Sequence, residues 1–429
     1  MPASRRPIQT CLLSLVSLKL TSRGRHWLPF CVSGRLRMTD TNALMNTYNR
    51  IPLGFVRGEG SWVFDRDGNK YLDAIAGIAV CALGHSHAGF IKAVQDQVAR
   101  LTHVSNLFDI PIQQELAEKL CAASGMDSVF FCNSGAEANE TAIKLARMYG
   151  HQRDIEVPGI IVAEGAFHGR TMGALTATHS KRYQNGFGPI LEGFYRVSFN
   201  DADAVTDMVK ANPNIVAILV EPVQGEGGIV MPKSDYLNRI RAICDEHDML
   251  LMLDEVQTGN GRTGKYFAFQ HNSIQPDVVT TAKGLGNGFP IGACMASGIA
   301  SQIFQPGHHA TTFGGSPLAC AAALAVNAAL LEENLLSNAT LQGDRIKFGL
   351  SSKLQNADHV VDIRGRGLMI GVELNQSCGQ LVGQAREKGI LINVASDKVV
   401  RMVPPLNLKE EESDLIVETV GSLIQGFGS

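Results

Sequence analysis

The segment Ile215–Val220 is six apolar residues without a break, and residues 249–253 add five more. A strand with one wet face alternates apolar and polar side chains, so an unbroken run is a strand covered on both sides. Residues 129–131 and 160–163 are shorter runs of the same kind. Between the runs lie segments with helical spacing. Residues 236–248 are one; residues 136–149 are another, with Ala138, Ala142, Leu145, Ala146 and Tyr149 on one apolar face. The alternation predicts an α/β fold with a mostly parallel sheet and helices on both sides. Residues 319–331 read as an alanine-rich helix. After it the pattern changes, and residues 363–374 and 390–404 read as strands of a smaller α+β domain. A chain of 429 residues exceeds one ordinary core. The expected division is a large domain over 90–325, with 38–89 and 326–429 forming the small domain from both chain ends.

Two of the buried strands end in chemically useful residues. Residues 249–253 lead into Asp254, and 278–282 lead into Lys283, which opens Gly284-Leu285-Gly286-Asn287-Gly288. In an α/β sheet, strands deliver their last side chains into the crevice at the carboxyl edge. A carboxylate there can keep a pyridine nitrogen protonated. At an effective dielectric near 20, an ion pair about 4 Å apart is worth roughly 4 kcal/mol, or about three pKa units. A partly desolvated lysine loses basicity, becomes nucleophilic and can form a Schiff base with an aldehyde. Singly, a solvated strand end and a surface lysine explain these residues; together they point to pyridoxal 5'-phosphate.

Other motifs gather around this pair. Asn133-Ser134-Gly135-Ala136-Glu137-Ala138-Asn139 follows a strand and opens a helix, where backbone N–H groups and the helix dipole suit an anion; an ordinary N-cap is the plainer reading. In Phe167-His168-Gly169-Arg170, Phe167 offers a face for a flat ring and Arg170 a fork for a carboxylate. Arg401 sits inside the apolar segment 399–405 and needs an anionic partner; Glu226 is a candidate. The loop Gly259-Asn260-Gly261-Arg262-Thr263-Gly264-Lys265 fits the first seven positions of a nucleotide-binding P-loop and raises the alternative of an ATPase. Tyr266 opposes that alternative, because it stands where magnesium needs a hydroxyl. So does the acidic strand, which precedes the loop by only four residues.

Composition narrows the partners. Residues 1–37 carry seven basic side chains and no acid, while the remainder holds 31 basic against 41 acidic residues. An acidic body does not suit nucleic acid. No run of eighteen apolar residues predicts a membrane span. The nine cysteines form no CxxC pair and read as reduced core residues in a reducing compartment. The spacing of His85, His87, His308 and His309 supports no metal site. The first 37 residues are expected to lie outside the fold, with Met38 as the initiator. The chain is then cytoplasmic, or mitochondrial if the segment is a transit peptide.

From about Leu44 to the C-terminus, these segments in this order resemble the class III pyridoxal-phosphate aminotransferases, most of all their acetylornithine branch. The strongest stretches are residues 253–259, 282–288 and 311–315. The resemblance implies a fold type I transferase, a homodimer with shared active sites, and two small-molecule substrates, N2-acetylornithine and 2-oxoglutarate. It implies that Lys283 bonds the cofactor and moves the substrate proton. Asp254 would hold the pyridinium, Gln257 the ring hydroxyl, and Phe167 would stack on the ring. Ser134, Gly135 and Ala136 would bind the phosphate, with Thr312 arriving from the second subunit. Arg170, Glu226, Thr311, Arg401 and Ile78 would face substrate, Glu226 masking Arg401 in one half-reaction. Ile78, where ornithine-specific relatives carry a Tyr, implies an N-acylated donor rather than ornithine. Succinylornithine, ornithine and 4-aminobutyrate remain alternative donors. Cys81 and Ala88 depart from the usual Asn and Pro of the family.

Overall fold

The computed structural model describes residues 43–428 and divides the chain into two units, Met1–Pro52 and Leu53–Ser429. The expectation for residues 1–37 lies outside the described residues. Within the larger unit, three strands come first: β1 (Phe55–Glu59), β2 (Trp62–Asp65) and β3 (Lys70–Asp73). Seven more build the central sheet: β4 (Ser128–Cys132), β5 (Gly159–Ala163), β6 (Phe194–Val197), β7 (Ile215–Val220), β8 (Leu250–Asp254), β9 (Val278–Thr281) and β10 (Gly292–Ala296). Their order is β4-β10-β9-β8-β7-β5-β6. The five strands from β9 to β6 are parallel, while β10 runs antiparallel to both its neighbours.

The apolar runs of β5, β7 and β8 are buried on both faces, as their composition requires; the run at 129–131 departs from this, because β4 is an edge strand and its Val129 and Phe130 are only half-buried. Along β8, Leu251 and Leu253 join the larger core with Ile240 of the helix Tyr236–Glu246. Leu250 and Met252 point the other way, into a second core with Ala142, Leu145 and Ala146 of the helix Gly135–His151. Side chains alternate across a strand, so a strand between two helix layers must be apolar at every position. The sequence reading omitted β6 and β10. Both are short, and the small residues of Gly292–Ala296 give little periodic signal.

The later strands are β11 (Val360–Arg366), β12 (Met369–Leu374), β13 (Ile390–Leu391), β14 (Asn393–Ala395) and β15 (Val399–Met402). Residues 363–374, read as strand, are the two arms of an antiparallel hairpin. Residues 390–404 are three pieces. β13 pairs with β3, and β14 folds back on β15 with Asn393 opposite Arg401. The first and last parts of this unit therefore meet in one sheet, β1-β2-β3-β13.

Candidate active site

Strands β8 and β9 lie side by side with Asp254 opposite Thr280, so Asp254 and Lys283 emerge from one sheet edge. Asp254 is 3% exposed. Its Oδ2 accepts from Asn139 Nδ2 at 2.8 Å and from His168 Nδ1 at 2.7 Å, and its Oδ1 accepts from Val256 N at 3.0 Å. Asn139 is fixed in turn: its Nδ2 also donates to His168 O, and its Oδ1 accepts from Thr280 Oγ1, both at 2.7 Å. Because a carboxylate only accepts, the shared proton belongs on His168 Nδ1. The other ring nitrogen, Nε2, is buried without a partner among the described residues.

Lys283 adopts a positive φ of 45°, a conformation uncommon outside glycine and found where surroundings over-determine the backbone. Burial lowers the basicity of its amine, opposed by the charges of Glu226, Asp254 and Glu221. Glu221, just past β7, is also buried. Burial, then the nearby Asp254, pushes its carboxyl up to about 7. It accepts from Phe167 N and Gly225 N, each at 3.0 Å.

Ser134, Gly135, Ala136, Phe167, Arg170, Asp254, Gln257 and Lys283 line one cavity of about 400 Å³. Ser134 caps the helix Gly135–His151 by accepting from Glu137 N at 3.2 Å. A Cβ at Gly135 would lie 2.6 Å from Val256 Cγ1, so only glycine lets the helix start approach the strand β8 turn. Gln257 Oε1 is buried with no partner among the described residues. A carboxylate, a low-basicity lysine, an aromatic face, a helix N-terminus and an orphaned amide oxygen around one cavity fit pyridoxal phosphate.

Arg401 and Glu226 are not in that lining but form the expected pair. Arg401, 1% exposed, donates Nη1 to Glu226 Oε1 at 2.7 Å and to Gly225 O at 3.1 Å. Its Nε donates to Asn393 Oδ1 at 2.8 Å, and Nη2 is buried and unpaired among the described residues. Thr311 and Thr312 line a separate cavity of about 680 Å³. Ile78 lines neither; it sits at φ 67° in a strained turn whose Val80 reaches the first cavity.

The loop 259–265 is no phosphate cradle. Buried Arg262 donates to Leu368 O and Pro404 O, and a Cβ on Gly261 would meet Leu336 and Leu406 at 2.9 Å. Tyr266 is buried on Asn327. The loop is a packed junction, which removes the nucleotide alternative. Among the described residues no cluster of His, Cys, Asp and Glu could hold a metal, and no single helix is long and apolar enough to cross a membrane. Asn139, His168 and Glu221 carry roles that sequence reasoning missed. Asn139 had a signal: it shares a helix with buried Ala138 and Ala142, where a polar residue needs a partner.

The family Aminotransferase class-III matches residues 44–424. An acetylornithine aminotransferase of Nitrosomonas europaea is 52% identical over 90% of this chain and 98% of its own. One of Synechocystis is 45% identical over 89% and 91%. Among solved structures, ornithine aminotransferase from Toxoplasma gondii superposes with a TM-score of 0.87 at 32% identity, covering 90% and 93% of the two chains. N-acetylornithine aminotransferase from Stenotrophomonas maltophilia gives 0.77 at 35%, covering 89% and 97%.

Proposed function

Because this chain belongs to the class III aminotransferase family, we propose that it transfers the δ-amino group of N2-acetyl-L-ornithine to 2-oxoglutarate. The products are N-acetylglutamate 5-semialdehyde and glutamate, formed by a ping-pong route in arginine biosynthesis in the cytoplasm. The relatives at 45–52% identity are acetylornithine aminotransferases, against 32% for the ornithine enzyme of closely similar fold, and this favours the acetylated donor. The observation that carries the two-substrate reading is Arg401 held by Glu226 beside Lys283, whose basicity both charges influence.

Bound pyridoxal phosphate supplies an electron sink for the substrate's reacting carbon. Ser134, Gly135 and Ala136 would hold its phosphate, Phe167 its ring face, Gln257 its ring hydroxyl and Asp254 its nitrogen. The His168 and Asn139 donors hold the Asp254 carboxylate pointed at that nitrogen. Lys283, depressed in basicity by burial, takes a proton at Nζ and returns it. With Glu226 on Arg401, Arg170 is the one of the two arginines open to a carboxylate, and the donor brings a single one, remote from its amine. With Glu226 withdrawn, Arg401 binds the carboxylate beside the reacting carbon of 2-oxoglutarate. A second copy of the chain would bring its Thr312 to the phosphate.

Borohydride reduction of the holoenzyme followed by mass mapping is expected to place a pyridoxyl group on Lys283. Single-turnover spectra with acetylornithine, succinylornithine, ornithine and 4-aminobutyrate should show acetylornithine fastest. An unlabelled Lys283 sinks the mechanism; a faster rival replaces the donor.

A further inference from the structure

The two arginines that the proposed function assigns to carboxylates are oriented by neighbours of opposite kinds. Arg401 is held through its own donors: Nη1 is on Glu226 and Gly225, and Nε is on Asn393. Arg170 is held through its face. Its guanidinium carbon lies 3.7 Å from the centre of the Tyr183 ring and 5.6 Å from that of Phe167, and the two rings meet edge to face at 6.0 Å and 86°. Arg170 makes no ion pair among the described residues. A guanidinium over an aromatic face is attracted through the ring quadrupole while its five N–H donors stay free in their own plane. A carboxylate partner would occupy two of them.

Tyr183 is itself well fixed. Its N–H donates to Ser180 O at 3.0 Å. The next residue, Gln184, donates Nε2 to Leu175 O at 3.1 Å and Thr178 O at 2.9 Å. These bonds tie the segment that carries the ring to the helix Met172–Ala177 that follows Arg170. The turn carrying Arg170 is equally set. Gly169 has φ 137°, and a Cβ there would strike Ala136 Cβ at 2.8 Å.

We propose that Tyr183 is a positioning residue for substrate recognition. Its ring face holds the Arg170 guanidinium in one orientation with its donors open, so Arg170 is ready in both half-reactions, whereas Arg401 is released only when Glu226 leaves. The proposal rests on Arg170 being the carboxylate clamp.

Calorimetric titration of the holoenzyme with glutarate, a dicarboxylate without an amine, separates the two ideas. Tyr183→Phe keeps the ring and should leave Kd within about twofold. Tyr183→Leu should raise Kd about tenfold, equal to about 1.4 kcal/mol and within the worth of a cation–π contact. In an Arg170→Met background, Tyr183→Leu should cause no further loss. A loss in Tyr183→Phe as large as in Tyr183→Leu overturns the proposal, since the hydroxyl would then be at work. So does an undiminished Tyr183→Leu loss in the Arg170→Met background, which would mark a structural role. If Tyr183→Leu is silent while Arg170→Met weakens binding, the clamp stands and Tyr183 falls. If Arg170→Met is silent, the clamp itself fails.

Discussion

The Asp254 carboxylate is buried yet accepts three hydrogen bonds. Donors of this kind replace the water that burial removes and fix the direction of the carboxylate. Among the described residues, Arg401 is buried with one unpaired amino group and a single carboxylate, Glu226, whose side chain is 29% exposed. A pair with one wet partner can open without leaving both charges dry. Glu226→Ala should therefore slow the half-reaction with the ω-amine donor by about tenfold or more, through an unmasked Arg401 that attracts the wrong carboxylate. The half-reaction of glutamate should change much less. Stopped-flow measurement of each half-reaction checks this, and equal losses in both would refute the gate.

At the level of elements, parallel strands that end inside a covered sheet edge place whatever follows them in a dry environment. Glu221 follows β7 and Glu255 follows β8, and burial pushes each carboxyl up to about 7 from an ordinary 4.5. Glu255 accepts from Phe269 N at 2.9 Å and from Thr258 Oγ1, which offsets only part of the desolvation. A folded-state pKa above the unfolded value gives stability that is complete below about 4.5 and lost as pH rises through about 7. Stability of the holoenzyme should thus fall between about pH 4.5 and 7 by up to a few kcal/mol for each group. Urea midpoints of wild type and Glu255→Gln across that window test the sign. The variant's slope should be flatter; an unchanged slope would clear Glu255 of the effect.

For the whole molecule, the cavity at Thr311 and Thr312 is lined by Leu107, 90% exposed; Phe108, next to Leu107 in the chain, and Phe313, packed on the lining His103, are 67% and 64% exposed. Apolar side chains so exposed around one concavity mark an interaction surface. A second copy of the chain would cover them and place its Thr312 at the neighbouring phosphate site. Sedimentation should give about twice 46.1 kDa, and Leu107→Asp with Phe108→Asp should yield inactive monomers. A fully active monomer would exclude shared sites.

Much of this was legible in the chain itself. Unbroken apolar runs dictate strands covered on both faces, and a run that ends in Asp or Lys must deliver that residue to the sheet edge, because strand geometry leaves it nowhere else to go. The placing of Asp254 and Lys283 at one sheet edge follows from that local rule. The hairpin at 360–374, the split of 390–402 and the antiparallel β10 were not legible: β13 and β10 find partners far off in sequence, Leu72 for Ile390 and Cys132 for Gly292, and short, small-residue strands carry no period. Nor were the supports: Asn139 and His168 beneath Asp254, Tyr183 beneath Arg170, and Glu221 between Phe167 and Gly225. None of these contacts has a fixed sequence spacing, and only tertiary packing decides which neighbour a charged group will find.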